Sequence, residues 1–305
     1  MHTFHYVTVD VFTTERFGGN QLAVFPDATG LDAAHMRRVT AEFNYSEVTF
    51  VFPPDDPSNT ARVRIFEATG EIPFAGHPNV GTAFLLGRIG TVFGRPVEEF
   101  MRFEELGGVV MVSLLREGST VSGACIRAPQ ALRVHAQIDA QVVAACVSLP
   151  ADDIVTTGHQ PMIASVGLPF ALAEVRSVEA LGRARPNVVA FGAADARYPR
   201  PEAPFSVLLY ARQTATPNTL RTRMFAPLSN ILEDPATGSA SAALGAYLTS
   251  VGSRADAEEF LTLEQGVEMG RPSTINLRVS KVAGIVRDVD ISGYCVPVMR
   301  GEIDL

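Results

Sequence analysis

Lysine is nearly absent from this chain. Of its 25 basic residues 24 are arginine, and Lys281 stands alone in the strand-like run from Ile275 to Val282. A Schiff-base cofactor such as pyridoxal phosphate needs a placed lysine, so that chemistry is not expected. Cysteine is scarce as well. Cys125, Cys146 and Cys295 show no C-x-x-C spacing. An odd number without that spacing points to neither a disulfide framework nor a zinc site, and all three read as core residues. His2 and His5 have loose metal-ligand spacing but lie at a terminus, so no metal is expected. There is no Gly-Lys-Ser/Thr, and no G-x-G-x-x-G follows a strand, which argues against a nucleotide cofactor. No apolar run approaches the ~18 residues of a membrane span. The first twenty residues carry Asp10, Glu15 and Arg16 and no apolar core of a signal peptide, so a cytoplasmic protein is expected. Positive charge is in deficit: 25 basic against 33 acidic residues give a net charge of −8, which disfavours nucleic acid.

What remains is an ordinary soluble composition. The 305 residues are 47% hydrophobic and 19% charged, enough apolar mass for a full core and a length that suggests two domains. Short alternating runs dominate. Phe4 to Phe12 and Asn20 to Phe25 read as strands joined at Gly18-Gly19. Leu31 to Phe43 has helical spacing, with Asp32 placed to cap it. Glu47 to Phe52 and Ala61 to Phe66 are further strands. Then Phe74-Ala-Gly-His-Pro78 opens a segment, Pro78 to Leu86, with no charge on any face, which predicts a buried helix with Pro78 at its first position.

The second half repeats this order. Met162 to Val166 and Phe170 to Val175 flank Gly167-Leu-Pro, and Val178 to Leu181 begins a short helical piece. Ser206 to Tyr210 parallels Glu47 to Phe52, and Arg223-Met-Phe225 echoes Arg64-Ile-Phe66. Glu233-Asp-Pro-Ala-Thr-Gly238 then opens a second uncharged helix of small residues, Ser239 to Leu248. The pattern predicts an internal duplication of two α+β halves, with the ligand site in a cleft between them; one large α+β domain whose elements recur by chance is the alternative.

The candidate chemistry gathers at the two helix starts. A helix N-terminus offers unpaired N–H groups and about half a positive charge, and Gly76 and Gly238 would let a carboxylate or a developing enolate come close. His77 and Asp234 stand beside those loops. Glu47 opens an otherwise apolar strand after Asn44-Tyr-Ser46. Such groups around an anion site suit proton transfer at a carbon next to a carboxylate. Each also has a plainer role open to it: edge-strand charge for Glu47, helix cap for His77, turn residue for Asp234, and tight helix packing for Gly76 and Gly238. Ser239 lies in Thr-Gly-Ser-Ala-Ser, which is not the elbow of a serine hydrolase. Arg221 and Arg223 could face the cleft or water, and Asp256, Glu258 and Glu259 read as a solvated face.

These motifs together resemble the phenazine-biosynthesis PhzF-like isomerases, relatives of diaminopimelate epimerase. The resemblance spans Val9-Asp-Val-Phe12, Gly19-Asn20, Asn44-Tyr-Ser-Glu-Val-Thr-Phe50, Glu71-Ile-Pro-Phe-Ala-Gly-His-Pro78, Arg223-Met-Phe-Ala-Pro227, Glu233-Asp-Pro-Ala-Thr-Gly-Ser239 and Gln265-Gly-Val-Glu-Met-Gly-Arg-Pro-Ser273. It implies the diaminopimelate epimerase-like α+β fold: two pseudo-symmetric halves, each a barrel-like sheet around a central buried helix. The halves would be residues 1–123, completed by the C-terminal strand 293–305, and residues 124–292, with the active site between them and a homodimer as the assembly. It implies Glu47 as acid/base, assisted by His77 and Asp234, with Asn20, Ser46, Gly76, Gly238 and Ser239 binding a small carboxylate substrate. The activity implied is a cofactor-independent isomerisation, with trans-2,3-dihydro-3-hydroxyanthranilate as first candidate substrate. A carboxyl-based epimerase or racemase, or a non-catalytic protein binding a cyclic carboxylate, are the alternatives. The epimerase branch uses two cysteines. Here Ala75 and the Pro235-Ala236 region stand near those positions, which favours a single carboxyl shuttle.

Overall fold

A computed structural model describes residues 2–213 and 215–305. The chain forms two compact units, residues 1–129 with 291–305 and residues 130–290.

The first unit contains β1 (Thr3–Val11), β2 (Asn20–Phe25), α1 (Ala33–Phe43), β3 (Glu47–Phe52), β4 (Ala61–Glu67), β5 (Gly70–Ile72) and α2 (Gly76–Ile89). A small hairpin of β6 (Thr91–Val92) and β7 (Arg95–Pro96) follows, then β8 (Phe100–Glu105), β9 (Gly108–Glu117) and β10 (Thr120–Arg127). β1 and β2 are antiparallel. β2 and β3 run parallel, as a helical crossover through α1 allows. β3–β4 and β4–β5 are hairpins, β8 lies parallel to β4, and β8–β9–β10 form an antiparallel meander.

Local sequence explains α1. Asp32 accepts the His35 backbone N–H at 2.8 Å as the expected cap, and Asn44, left-handed at φ 52°, ends the helix and turns the chain into β3. One side of β2–β3–β4 packs on α1 through Phe25, Phe50 and Phe66 with Met36 and Val39. α2 packs instead against β1, β2, β9 and β10, and every residue from Gly76 to Leu86 is buried. It starts two residues before the predicted position, so Pro78 is its third residue. Anywhere in the first turn the missing N–H costs nothing, so the proline does not fix the start.

The second unit contains β11 (Arg133–Gln137), α3 (Ala140–Cys146), β12 (Ile154–Val155), β13 (Met162–Ser165), β14 (Pro169–Val175), α4 (Val178–Arg183) and α5 (Val188–Arg197). It continues with β15 (Val207–Arg212), β16 (Thr219–Ala226), β17 (Ile231–Asp234), α6 (Gly238–Val251), β18 (Ala257–Gln265) and β19 (Ser273–Val282). The pairings repeat those of the first unit. β13–β14 is a hairpin, β14 and β15 run parallel across α4 and α5, and β15–β16 and β16–β17 are antiparallel. β18 lies parallel to β16 and forms a hairpin with β19. α6, uncharged and buried, packs against β13, β14, β18 and β19, as α2 does in its own sheet. The duplication expected from the sequence is thus present pairing by pairing. Two helices, α3 and α5, were not announced by the sequence; Asp139 caps the first by accepting the Gln141 N–H and Asn187 the second by accepting the Ala190 N–H. The last strand, β20 (Ile285–Asp304), returns to pair with β1 from Cys295 to Asp304.

Cys146 and Cys295 are buried as expected, while Cys125 is partly exposed. The single lysine has a structural occupation. Lys281 Nζ donates to the carbonyls of Thr249, Ser250 and Gly252 at 3.1, 3.0 and 2.8 Å, closing the C-terminus of α6 where a cation is favoured. Lys281→Met is expected to cost about 2 kcal/mol. The urea midpoint measures it; an unchanged midpoint would show that these carbonyls find other donors at no cost.

Candidate active site

In the first unit the site is set by strand register. Leu22 pairs with Glu47, so Asn20 at the start of β2 comes level with the residues entering β3. Gly19, at φ +62°, makes the turn just before Asn20, and a Cβ there would lie 2.3 Å from the Val11 carbonyl oxygen. On β3 the side chains alternate, so Glu47 and Thr49 share a face. Thr49 Oγ1 meets Thr82 Oγ1 of α2 at 2.9 Å, which fixes that face toward the helix. Two residues back along the strand, Glu47 reaches the first turn of α2. There its Oε2 lies 3.5 Å from His77 Nε2, with side chains 12% and 5% exposed.

Behind His77 stands a relay. Asn20 Nδ2 lies 3.3 Å from His77 Nδ1, and Ser46 Oγ donates to Asn20 Oδ1 at 3.3 Å. Nδ1 is thus the ring nitrogen engaged by Asn20, and Nε2 is the one turned toward Glu47. Burial dominates the ring's protonation and pushes its pKa down to about 3, against a smaller opposing effect of the Gln21 backbone. His77 is therefore neutral beside Glu47, not a countercharge to it. The sequence singled out Asn20, Ser46, Glu47 and His77 separately; the fold brings all four together, with Gly76 opening the helix beside them.

α2 begins without a capping side chain. Its N-cap residue is Ala75, and no acid lies in the first turn. The first N–H groups of the helix are left without an intrahelical acceptor or a side-chain cap.

The second unit builds its own arrangement at α6. Asp234 ends β17 and is buried. Thr237 is the N-cap residue, yet its Oγ1 does not cap the helix; it donates to Asp234 Oδ2 at 2.5 Å. Gln265, fully buried at the end of β18, donates from Nε2 to the Asp234 carbonyl at 2.8 Å and to Thr237 Oγ1 at 3.0 Å, and accepts the Thr237 N–H at 3.3 Å. Gly238 and Ser239 form the first turn of α6, both buried. Thr237 and Gln265 were not predicted. The only signal was their place inside the motifs, since threonine and glutamine carry no charge to draw notice. Arg223 does not face water. It is buried, pairs with both Glu233 oxygens at 2.7 Å and donates to the Leu181 and Ala184 carbonyls. Arg221 pairs with Glu268 at 3.0 Å.

Neither buried thiol suits thiolate chemistry. Burial pushes the Cys146 thiol up to about 12 and the Cys295 thiol up further, whereas a thiolate base needs a lowered pKa. Among the described residues no group of three or more His, Cys, Asp or Glu could hold a metal ion, and no helix is long and apolar enough to cross a membrane.

Comparison with known proteins gives a consistent result. The family model for phenazine biosynthesis-like proteins, PhzC-PhzF, matches residues 9–301. An uncharacterised isomerase of Mesorhizobium japonicum is 36% identical, with 99% of each chain covered. The trans-2,3-dihydro-3-hydroxyanthranilate isomerase of Pseudomonas chlororaphis is 32% identical, again over 99% of each. The crystal structure of a PhzF-family phenazine biosynthesis protein from Bacillus anthracis superposes with a TM-score of 0.87 over the full length of both chains, at 24% identity.

Proposed function

This chain belongs to the PhzC-PhzF family of phenazine biosynthesis-like proteins and is an enzyme of the isomerase class, and we propose that it moves a proton between carbons of a small unsaturated cyclic amino acid without a cofactor. The observation that carries this reading is the Glu47 carboxyl, largely shielded from solvent and 3.5 Å from a buried neutral histidine. Glu47 takes a proton from a ring carbon. The electron pair left behind spreads through the conjugated ring toward the substrate carboxylate, and Glu47 returns the proton to another carbon of the same system. Atoms and oxidation state are unchanged, so no redox partner is required. The neutral His77 ring lies beside the Glu47 carboxyl without quenching it as an ion pair would. Uncapped N–H groups at Gly76 favour the substrate carboxylate and the charge that develops on it. Asp234, held by Thr237 and Gln265, is assigned the substrate amine or hydroxyl, with Gly238 and Ser239 contributing to carboxylate binding. The assembly is proposed to be a homodimer, for which light scattering is the test.

The first substrate to try is trans-2,3-dihydro-3-hydroxyanthranilate, the compound for which the Pseudomonas chlororaphis relative is named. Incubated with the protein in D₂O, it should lose its absorbance and take up deuterium, at least in part, at the carbon that gains the proton. Exchange at an α-carbon with inversion would instead identify an epimerase or racemase. Binding without exchange would identify a carboxylate-binding protein.

A further inference from the structure

One buried carboxyl group lies outside the machinery just described. Glu105 ends β8, and neither of its oxygens reaches solvent or accepts a hydrogen bond in good geometry. Among the described residues no Arg, Lys or His pairs with it. The side chain acting on it is Asn79, itself fully buried in the first turn of α2. Asn79 has one end committed: Nδ2 donates to the Ala75 carbonyl at 2.9 Å. Its other end, Oδ1, is buried with no donor.

The hydrogen-bond arithmetic is lopsided. An ionised Glu105 would set buried acceptors on Glu105 and Asn79 against one another, with only the second Asn79 N–H to share. A proton on Glu105 removes an uncompensated buried charge and adds a donor where buried acceptors outnumber donors. Burial raises the Glu105 pKa well above the ordinary carboxylate value, outweighing the Asn79 side chain, which acts in the opposite direction.

The location gives this proton a consequence. Ala75 is the N-cap residue of α2, with Gly76 and His77 directly after it. The turn after Glu105 holds the same loop from the other side. Gly107 donates its N–H to the Pro73 carbonyl at 2.8 Å, and a Cβ at Gly107 would sit 2.6 Å from that oxygen. The β8–β9 turn thus clasps residues 73–77 twice, once through Gly107 and once through Glu105 and Asn79.

We propose that Glu105 is held as a neutral carboxylic acid whose proton bonds Asn79, and that it is the positioning residue that fixes the Ala75–Gly76–His77 turn against Glu47. The role rests on the acid/base reading of Glu47 and His77; the protonation state does not. Two readouts separate them. Without substrate, difference infrared spectra of wild type against Glu105→Gln at neutral pH should show the carbonyl stretch of a protonated carboxylic acid, lost in the variant. The His77 ring nitrogen resonances should move in Glu105→Leu and stay in place in Glu105→Gln, whose amide can still donate to Asn79. With substrate, Glu105→Gln should keep kcat/KM within about threefold while Glu105→Leu loses about tenfold or more, the cost of stranding one buried acceptor. Carboxylate bands in place of the acid band would overturn the proposal. So would Glu105→Leu that is folded and has wild-type kcat/KM or unmoved His77 signals. If Glu105→Leu does not fold, the infrared band and the activity of Glu105→Gln still decide. If the candidate substrate is not turned over, the substrate-free spectra are unaffected, so the two failures are distinguishable.

Discussion

Glu47→Gln is expected to lower kcat/KM for the isomerisation by about 10²- to 10⁴-fold, the usual contribution of a positioned acid/base group. Glutamine keeps the shape of the side chain and an oxygen for His77 Nε2 to approach, so register and burial at the head of β3 should be preserved. What it lacks is a basic oxygen that can hold a proton between two carbons. Binding of the substrate acid should be little changed, because the groups assigned to its carboxylate lie at Gly76, Gly238 and Ser239. The measurement is the initial rate with trans-2,3-dihydro-3-hydroxyanthranilate beside wild type, with deuterium uptake as a second readout. A variant as active as wild type would remove Glu47 from the proton path. Loss of rate together with loss of binding would make it a substrate contact instead.

His77 carries the second large effect, on stability. Its folded pKa of about 3 lies below the ordinary histidine value of 6.5. Above pH 6.5 neither the folded nor the unfolded chain protonates it, and it contributes no pH dependence. As the pH falls from 6.5 toward 3, the unfolded chain binds a proton that the folded chain refuses, so stability is lost across that window, on the order of 4 kcal/mol in all. Carboxylates also titrate there, so wild type must be compared with His77→Gln. At pH 7 the variant should be the less stable, having lost the contacts to Asn20 and Glu47. By pH 4 the gap should have narrowed or reversed by about 3 kcal/mol. Urea unfolding at the two pH values measures this. A constant gap would mean that His77 titrates alike in both states. The same depression predicts no step from His77 in the rate profile between pH 6 and 7.

Much of this protein could be read from its residues because the relevant physics is local. Short apolar runs marked Asn20 to Phe25 and Glu47 to Phe52 as strands at their observed bounds, although burial covers nearly every residue of both rather than alternating. Asp32 announced its helix because a short acceptor side chain satisfies an orphan N–H. Two charge-free stretches announced buried helices, and their recurrence announced the duplication. Glu47, His77 and Asp234 stood out because ionisable groups are conspicuous in apolar surroundings.

Other features depend on partners far apart in sequence, and only the tertiary structure decided them. The pairing of Leu22 with Glu47 places Ser46 beside Asn20, and the meeting of Thr49 with Thr82 turns Glu47 to His77 rather than to solvent. No local pattern encodes either, because strand register is settled by the packing of whole faces. The neutral state of His77 follows from burial, which belongs to the fold and not to the residue. Gln265 and Thr237 hold Asp234 through polar atoms with no charge to betray them. Arg223 carries its charge into the interior because Glu233 and two carbonyls receive it there. From the sequence come the kinds of groups and the elements that bear them; from the fold come their neighbours, and with the neighbours the protonation states on which the proposed chemistry depends.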